Sequence, residues 1–320
     1  MKINKKPYVE LLPKSGRFYK VNLHAHSTLS DGHFTPEELK GLYLANGYSA
    51  VAFTDHRNCI SHAELTDENF VALTGVELDF HSYGDNGELA SAVHLNVIAN
   101  DQNYEQSFKS MPLEYGLINQ TIENLKKAGH FVTLNHPVWS NMSTEELFTV
   151  KGYDAMEVFN SIAATFNNFS DDSAFYEVLL RKGGKCIPIA ADDCHKIFDD
   201  GSPFLEYCKG FTVIKAPELT YKSLFDALRA GNFYASTGPK FENLWLEGDI
   251  LHVECSPVYG VFVHSKYLTC KTQDIRHSDC ITHTEIDISK IRKNSPYFWV
   301  QLRDTNGKKA WAVPYWFDRD

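Results

Sequence analysis

The chain has 320 residues, 43% hydrophobic and 13% aromatic, which is enough apolar material for one large domain or a large domain with a small companion. Its formal charge of −10, with no Lys/Arg-rich block, argues against bulk nucleic-acid binding but not against an anionic substrate, because bound cations reverse the sign locally. Seven scattered cysteines without a Cys-x-x-Cys pair point to reduced thiols, and neither the basic lead-in nor any later stretch has the apolar length of a leader or a membrane span, so a cytoplasmic location is expected.

After the lead-in, residues 19–23 read as a short strand delivering His24 and His26, which at i, i+2 on extended backbone point to one side. Thr35 suits an N-cap, Pro36 the first helical position and Glu38 the third position of a capping box. A helix is therefore expected up to Gly47, with Leu39, Leu42 and Tyr43 as its apolar stripe. Residues 49–54 read as a strand with Asp55 and His56 at its end, completing a βαβ-like unit.

The pattern continues with a strand over 70–76 ending in Glu77, a strand over 92–99 with His94 near its start, and a helix over 113–128. Strands over 131–134 and 155–159 then lead to Asn135-His136-Pro137 and Asn160. A helix over 173–182 precedes a strand over 186–191 that runs into Asp192-Asp193-Cys194-His195. One further strand, 211–214, and a helix over 220–230 close this part. Strands alternating with helices predict an α/β sheet or barrel with one shared site at the strands' carboxyl ends. Ser236-Thr-Gly-Pro239 reads as a hinge. Beyond it, short aromatic and β-branched runs between turns predict a small antiparallel β-sandwich, giving units at 1–236 and 237–320.

The chemistry-bearing residues flank these apolar runs: His24, His26, Asp31, His56, Glu77, His94, His136, Asp193 and His195. Nitrogen and oxygen donors without thiolate suit zinc, manganese or iron. Nine exceed one tetrahedral ion and fit two or three divalent ions, with Glu77 able to bridge. Cys194 alternates away from Asp193 and His195 and reads as packing. The sequence has no Gly-x-Ser-x-Gly elbow, P-loop or Rossmann fingerprint, so the nucleophile this set implies is a metal-bound hydroxide, from water acidified by the ions to a pKa of about 7.

His24-x-His26 with Asp31, Thr54-Asp55-His56, Gly75-Val76-Glu77, His94-Leu95, Asn135-His136-Pro137 and Asp193-Cys194-His195 together resemble the ordered motifs of the polymerase-and-histidinol-phosphatase (PHP) domain family, over roughly residues 17 to 236. The resemblance implies a distorted (β/α)7, TIM-like barrel and metal-dependent phosphoester hydrolysis. It further implies that His24, His26, Glu77 and Asp193 hold a first ion, Glu77, His94 and His136 a second, and Asp31, His56 and His195 a third, with no motif ligand missing. The tail is similar to the β-sandwich that follows this domain in some bacterial members.

Three readings follow. The first is a hydrolase of a small-molecule phosphomono- or phosphodiester. The second is a metallohydrolase of a carboxylic ester, carbamate or amide, since the same ions polarise a carbonyl. Basic groups around the pocket favour the first and an apolar pocket the second. The third is a non-catalytic metal-binding interaction module. Around the nine residues, Asp55 reads as an orienter of a ligating histidine. Arg57 is either a clasp for a phosphate oxygen or a surface residue, and Asn160 either touches substrate or caps its loop. Trp139 and Phe166 wall the pocket or pack. His81, in a turn-like His-Ser-Tyr-Gly-Asp, is the alternative to His94, and the remaining histidines, His277 among them, have no spacing partners.

Overall fold

The computed structural model describes residues 2–3, 7–169, 171–267, 271–274 and 280–318, so His277 lies outside the described residues. The helices form where their caps and stripes place them. In the Pro36–Ala45 helix, Thr35 Oγ1 accepts from Glu38 N at 3.2 Å and Glu38 Oε2 accepts from Thr35 N at 2.8 Å, closing the capping box, while Leu39 and Tyr43 are buried. The Tyr221–Ala230 helix is capped by Thr220 and ends at Gly231, whose φ of 74° is the left-handed stop that glycine adopts freely.

Parallel pairing joins Arg17–Asn22 to Ala50–Phe53 and Ala50–Phe53 to Val71–Tyr83. It also joins Phe131–Leu134 to Ala155–Asn160 and that strand to Ile187–Ala191. The expected (β/α)7 barrel does not close. Ile187–Ala191 ends the hydrogen-bonded order among the described residues, while Phe211–Ala216 pairs antiparallel with Arg17–Asn22 and Phe233–Ser236. The expected run of parallel strands is broken once more, because Val71–Tyr83 and Leu89–Ile98 form an antiparallel hairpin in which Glu77 faces Asn96. The Gly84–Glu88 connection is too short for the crossover that parallel strands need. Glu77 thus lies inside a 13-residue strand and not at a strand's end.

The tail's strands fall into two groups. Phe241–Glu247, Ile250–Val258 and Ile281–Asp287 form a four-stranded sheet with Tyr8–Glu10, which the sequence reading left in a polar lead-in. Gly260–Ser265, Tyr297–Arg303, Lys309–Ala312 and Tyr315–Phe317 continue the sheet of the first half, because Phe233–Ser236 pairs with Lys309–Ala312. The segment expected as a hinge is tied across this seam: Thr237 N donates to Lys309 O at 2.9 Å, and Lys309 N donates to Thr237 Oγ1 at 3.0 Å.

Candidate metal centre

The two ends of the chain's motif series meet by backbone pairing. Ala25 bridges Cys194, His26 N donates to Cys194 O at 2.9 Å and Asp193 N to His24 O at 3.0 Å, so His24, His26, Asp193 and His195 emerge together. Cys194 is buried in the core, as its place between two site residues indicates. A second bridge joins His56 to Glu77, with Arg57 N donating to Glu77 O at 2.9 Å. Arg57, His136 and Asp193 have φ of 62°, 23° and 55°, conformations that cost non-glycine residues about 1–3 kcal/mol each and gather where side chains must be aimed. Gly32 allows the Asp31 turn: a Cβ there stands 2.2 Å from His26 O.

Four side chains converge on one point. His24 Nε2 and His26 Nε2 are 3.2 Å apart, Asp193 Oδ1 is 3.1 Å from each, and Glu77 Oε1 and Oε2 are 3.4 and 3.3 Å from His24 and His26. Ligand atoms about 2.0–2.1 Å from one ion stand roughly 3.3 Å apart at a tetrahedron's corners, so these spacings fit a shared cation. Asp193 Oδ1 is buried without a hydrogen-bond partner, as an atom reserved for an ion would be.

Glu77 also faces a second group, with His94 Nδ1 at 3.1 Å and His136 Nε2 at 3.4 Å from Oε1. In a third group Asp31 lies 3.4 Å from His26, 3.7 Å from His56 and 3.6 Å from His195. All nine candidates are thus brought into three contiguous groups around Glu77, His26 and Asp193. His81 joins them, its Nε2 3.1 Å from His94 Nε2, because residues 77, 79 and 81 share one face of their strand.

Further residues hold this arrangement. Glu157, fully buried, accepts from His24 Nδ1 at 2.8 Å through one oxygen, and from His136 N and Asn160 Nδ2 at 2.9 Å through the other. Asn135 Nδ2 donates to Glu77 Oε1 at 2.7 Å. Asn160 does two jobs: its amide nitrogen reaches Asp193 Oδ2 at 3.0 Å, and its oxygen caps the following helix at Ala163 N. Asp192 accepts three backbone N–H groups from residues 208–210 and a Tyr43 hydroxyl, so it fixes the loop while Asp193 faces the site. Asp55 corrects the expectation of an orienter bonded to a histidine: it accepts from Ser27 N, Ser27 Oγ and Ser30 Oγ, all at 2.8 Å, and so fixes the turn that carries Asp31. Glu157 and Asp79 escaped the sequence reading, though a lone carboxylate inside an apolar strand signals a buried partner.

The charges hold one another. Burial disfavours protonation of His24, yet Asp193, Glu77 and Glu157 outweigh it and raise its pKa well above the ordinary histidine value. Burial likewise pushes Glu77 and Asp193 upward, and the surrounding histidines overturn it, holding both carboxylates well below their usual range. A cavity of about 280 Å³ opens over the groups, lined by Asp31, His56, Glu77, His94, His136, Asp193 and His195 together with Trp139, Ile162, Ala163, Phe166, Asn167 and Ile197. The Trp139 ring lies 4.9 Å from that of His136 and 5.5 Å from that of His94. No lysine or arginine is among these lining residues. Arg57 Nη1 instead donates to both oxygens of Asp79 at 3.0 Å.

Among solved structures, the chain is similar to a two-domain Bacteroides vulgatus protein containing a predicted PHP-like metal-dependent phosphoesterase. That match has 17% identity and a TM-score of 0.47, covering 98% of this chain and 97% of that one. It is also similar to a Chromobacterium violaceum amidohydrolase determined with bound sulfate and no metal, at 15% identity and a TM-score of 0.40, covering 58% of this chain and 93% of that one. No curated protein matches the chain. The PHP domain profile matches residues 22–206, more than half of the sequence and every one of the nine candidate ligands, so the chain belongs to the PHP domain family.

Proposed function

We propose that the protein is a hydrolase of a phosphomono- or phosphodiester that works with two or three divalent ions of the zinc, manganese or iron kind. In this reading His24, His26, Glu77 and Asp193 hold the first ion, Glu77, His94 and His136 the second, and Asp31, His56 and His195 the third. The observation that carries it is the sharing of Glu77: one carboxylate stands 3.1–3.4 Å from nitrogens of two separate histidine groups. When bound, such ions supply an acidified water near neutral pH and neutralise charge on phosphoryl and leaving oxygens. The protein's own residues do the rest. Glu157 keeps the His24 Nδ1 proton in place, leaving Nε2 free as a donor atom. Asn135 and Asn160 stop Glu77 and Asp193 from rotating, and Trp139 walls one side against bulk water.

The absence of lysine and arginine among the lining residues favours a second reading, hydrolysis of a carboxylic ester, carbamate or amide at the same ions. Both are tested by metal analysis of protein grown with manganese, iron and zinc. Turnover of p-nitrophenyl phosphate, a nucleotide panel and p-nitrophenyl acetate is then compared between wild type and His136→Ala. Phosphate-ester turnover that tracks metal content and disappears in His136→Ala supports the first reading; acetate turnover alone supports the second; substoichiometric metal overturns both.

A further inference from the structure

Resting on the phosphoester reading, we propose that the group esterified to the phosphate is apolar, an alkyl or aryl moiety and not a sugar or a nucleotide. Beyond the candidate metal ligands, the cavity wall consists of Trp139, Ile162, Ala163, Phe166, Ile197 and one polar residue, Asn167. A sugar needs several hydrogen-bonding partners, and burying its hydroxyls without them is costly. A nucleoside di- or triphosphate needs cations beyond those on the reacting phosphate, and the wall supplies none.

The apolar surface also continues outward. The Phe166 ring packs against Phe198 at 5.2 Å and Phe198 against Phe204 at 5.7 Å, a ladder leading from the cavity to solvent. Phe166, Ile197 and Phe204 are 45%, 42% and 51% exposed, so large side chains that ordinarily withdraw from water stand at the mouth. Their continuity with the candidate metal groups makes the substrate's own tail the occupant that fits: the phosphate sits over the histidines and the tail lies along the ladder.

The test is equilibrium binding of methyl-, butyl- and octylphosphonate to metal-loaded full-length protein, by calorimetry, with ribose 5-phosphate as the polar comparison. The expected result is tightening of about fourfold per methylene until the chain outgrows the ladder, with ribose 5-phosphate no tighter than methylphosphonate. Phe166→Ser flattens the long end of the series, whereas Tyr267→Ser, at an exposed aromatic outside the cavity lining, leaves it unchanged. Affinity independent of chain length, or tighter binding of ribose 5-phosphate, overturns the inference while the phosphoester reading stands. Absence of binding by every phosphonate, together with no ester turnover, overturns both. If a second copy covers the ladder instead, Phe166→Ser lowers the sedimentation coefficient without changing the series, which also overturns it.

Discussion

Arg57 and Asp79 form a forked ion pair in which one guanidinium nitrogen reaches both carboxylate oxygens at 3.0 Å, and the same carboxylate stands 3.7 Å from His56 Nδ1. The sequence presents Arg57 beside His56 as a candidate clasp for phosphate; the structure engages it with the support of a histidine.

Replacing Arg57 with alanine is therefore expected to act on the His56 group more than on the substrate. Its side chain is 42% exposed, so screening limits the loss of stability to about 1 kcal/mol. Affinity for the ion proposed at Asp31, His56 and His195 is expected to fall about tenfold, while KM changes less than threefold. Chelator competition and steady-state kinetics check this. A KM rise of tenfold or more at unchanged metal affinity would place the guanidinium on the substrate.

Glu157→Gln keeps the shape of a fully buried side chain that serves His24, the His136 backbone and Asn160 at once. An amide cannot accept on both arms, so one of these donors loses its partner. Metal affinity is expected to drop by about 10- to 100-fold, read from the free chelator concentration that strips half the metal. Unchanged affinity would show that His24 does not need its Nδ1 proton held.

Metal removal is expected to reverse the pH dependence of stability. In metal-free protein the folded pKa of His24 is raised, so its contribution is present below the unfolded value of about 6.5 and is lost as pH rises through the folded pKa. Glu77 and Asp193 have depressed folded pKa values; their contribution is present above about 4 and is lost as pH falls through those values. Metal-free protein should thus melt highest in mildly acidic buffer and lower at pH 8, whereas metal-loaded protein gains on going from pH 6 to pH 8, because cations displace protons from the histidines. Calorimetric melting with and without chelator separates the two. Parallel pH profiles would contradict shared occupancy by proton and metal.

A second pH effect arises far from the metal groups. His264 stacks on Trp299 with ring centroids 4.1 Å apart, and burial lowers its pKa to about 4. The unfolded chain then binds the extra proton between about 6.5 and 4, so stability present at neutral pH is lost as pH falls through that window, by up to about 3 kcal/mol. His264→Phe keeps the stack and removes the titration. Its urea midpoint is expected to fall less between pH 7 and pH 5 than that of the wild type.

The candidate site was readable because its histidines and carboxylates flank apolar runs, and a sheet collects such positions at one edge; the bridges Ala25 to Cys194 and His56 to Glu77 are that rule realised in backbone pairing. The hairpin was not readable in this way. Buried antiparallel and parallel strands are both continuous apolar runs, and only the brevity of Gly84–Glu88 separates them. Residues 81–85 read as a turn, which sets His81 against His94 as an alternative; the strand runs on to Tyr83 and places His81 beside His94. The Tyr8–Glu10 strand escaped because three residues are too few for a period, and its pairing with Trp245–Glu247 spans most of the chain.

The hydrogen-bonded seam between Phe233–Ser236 and Lys309–Ala312 bears on how the protein can be dissected. A fragment stopped at residue 236 carries a naked strand whose unpaired amides and carbonyls invite other copies to stack on it. The tail thus serves as a permanent cap on an otherwise adhesive border, and the two halves are to be expressed together.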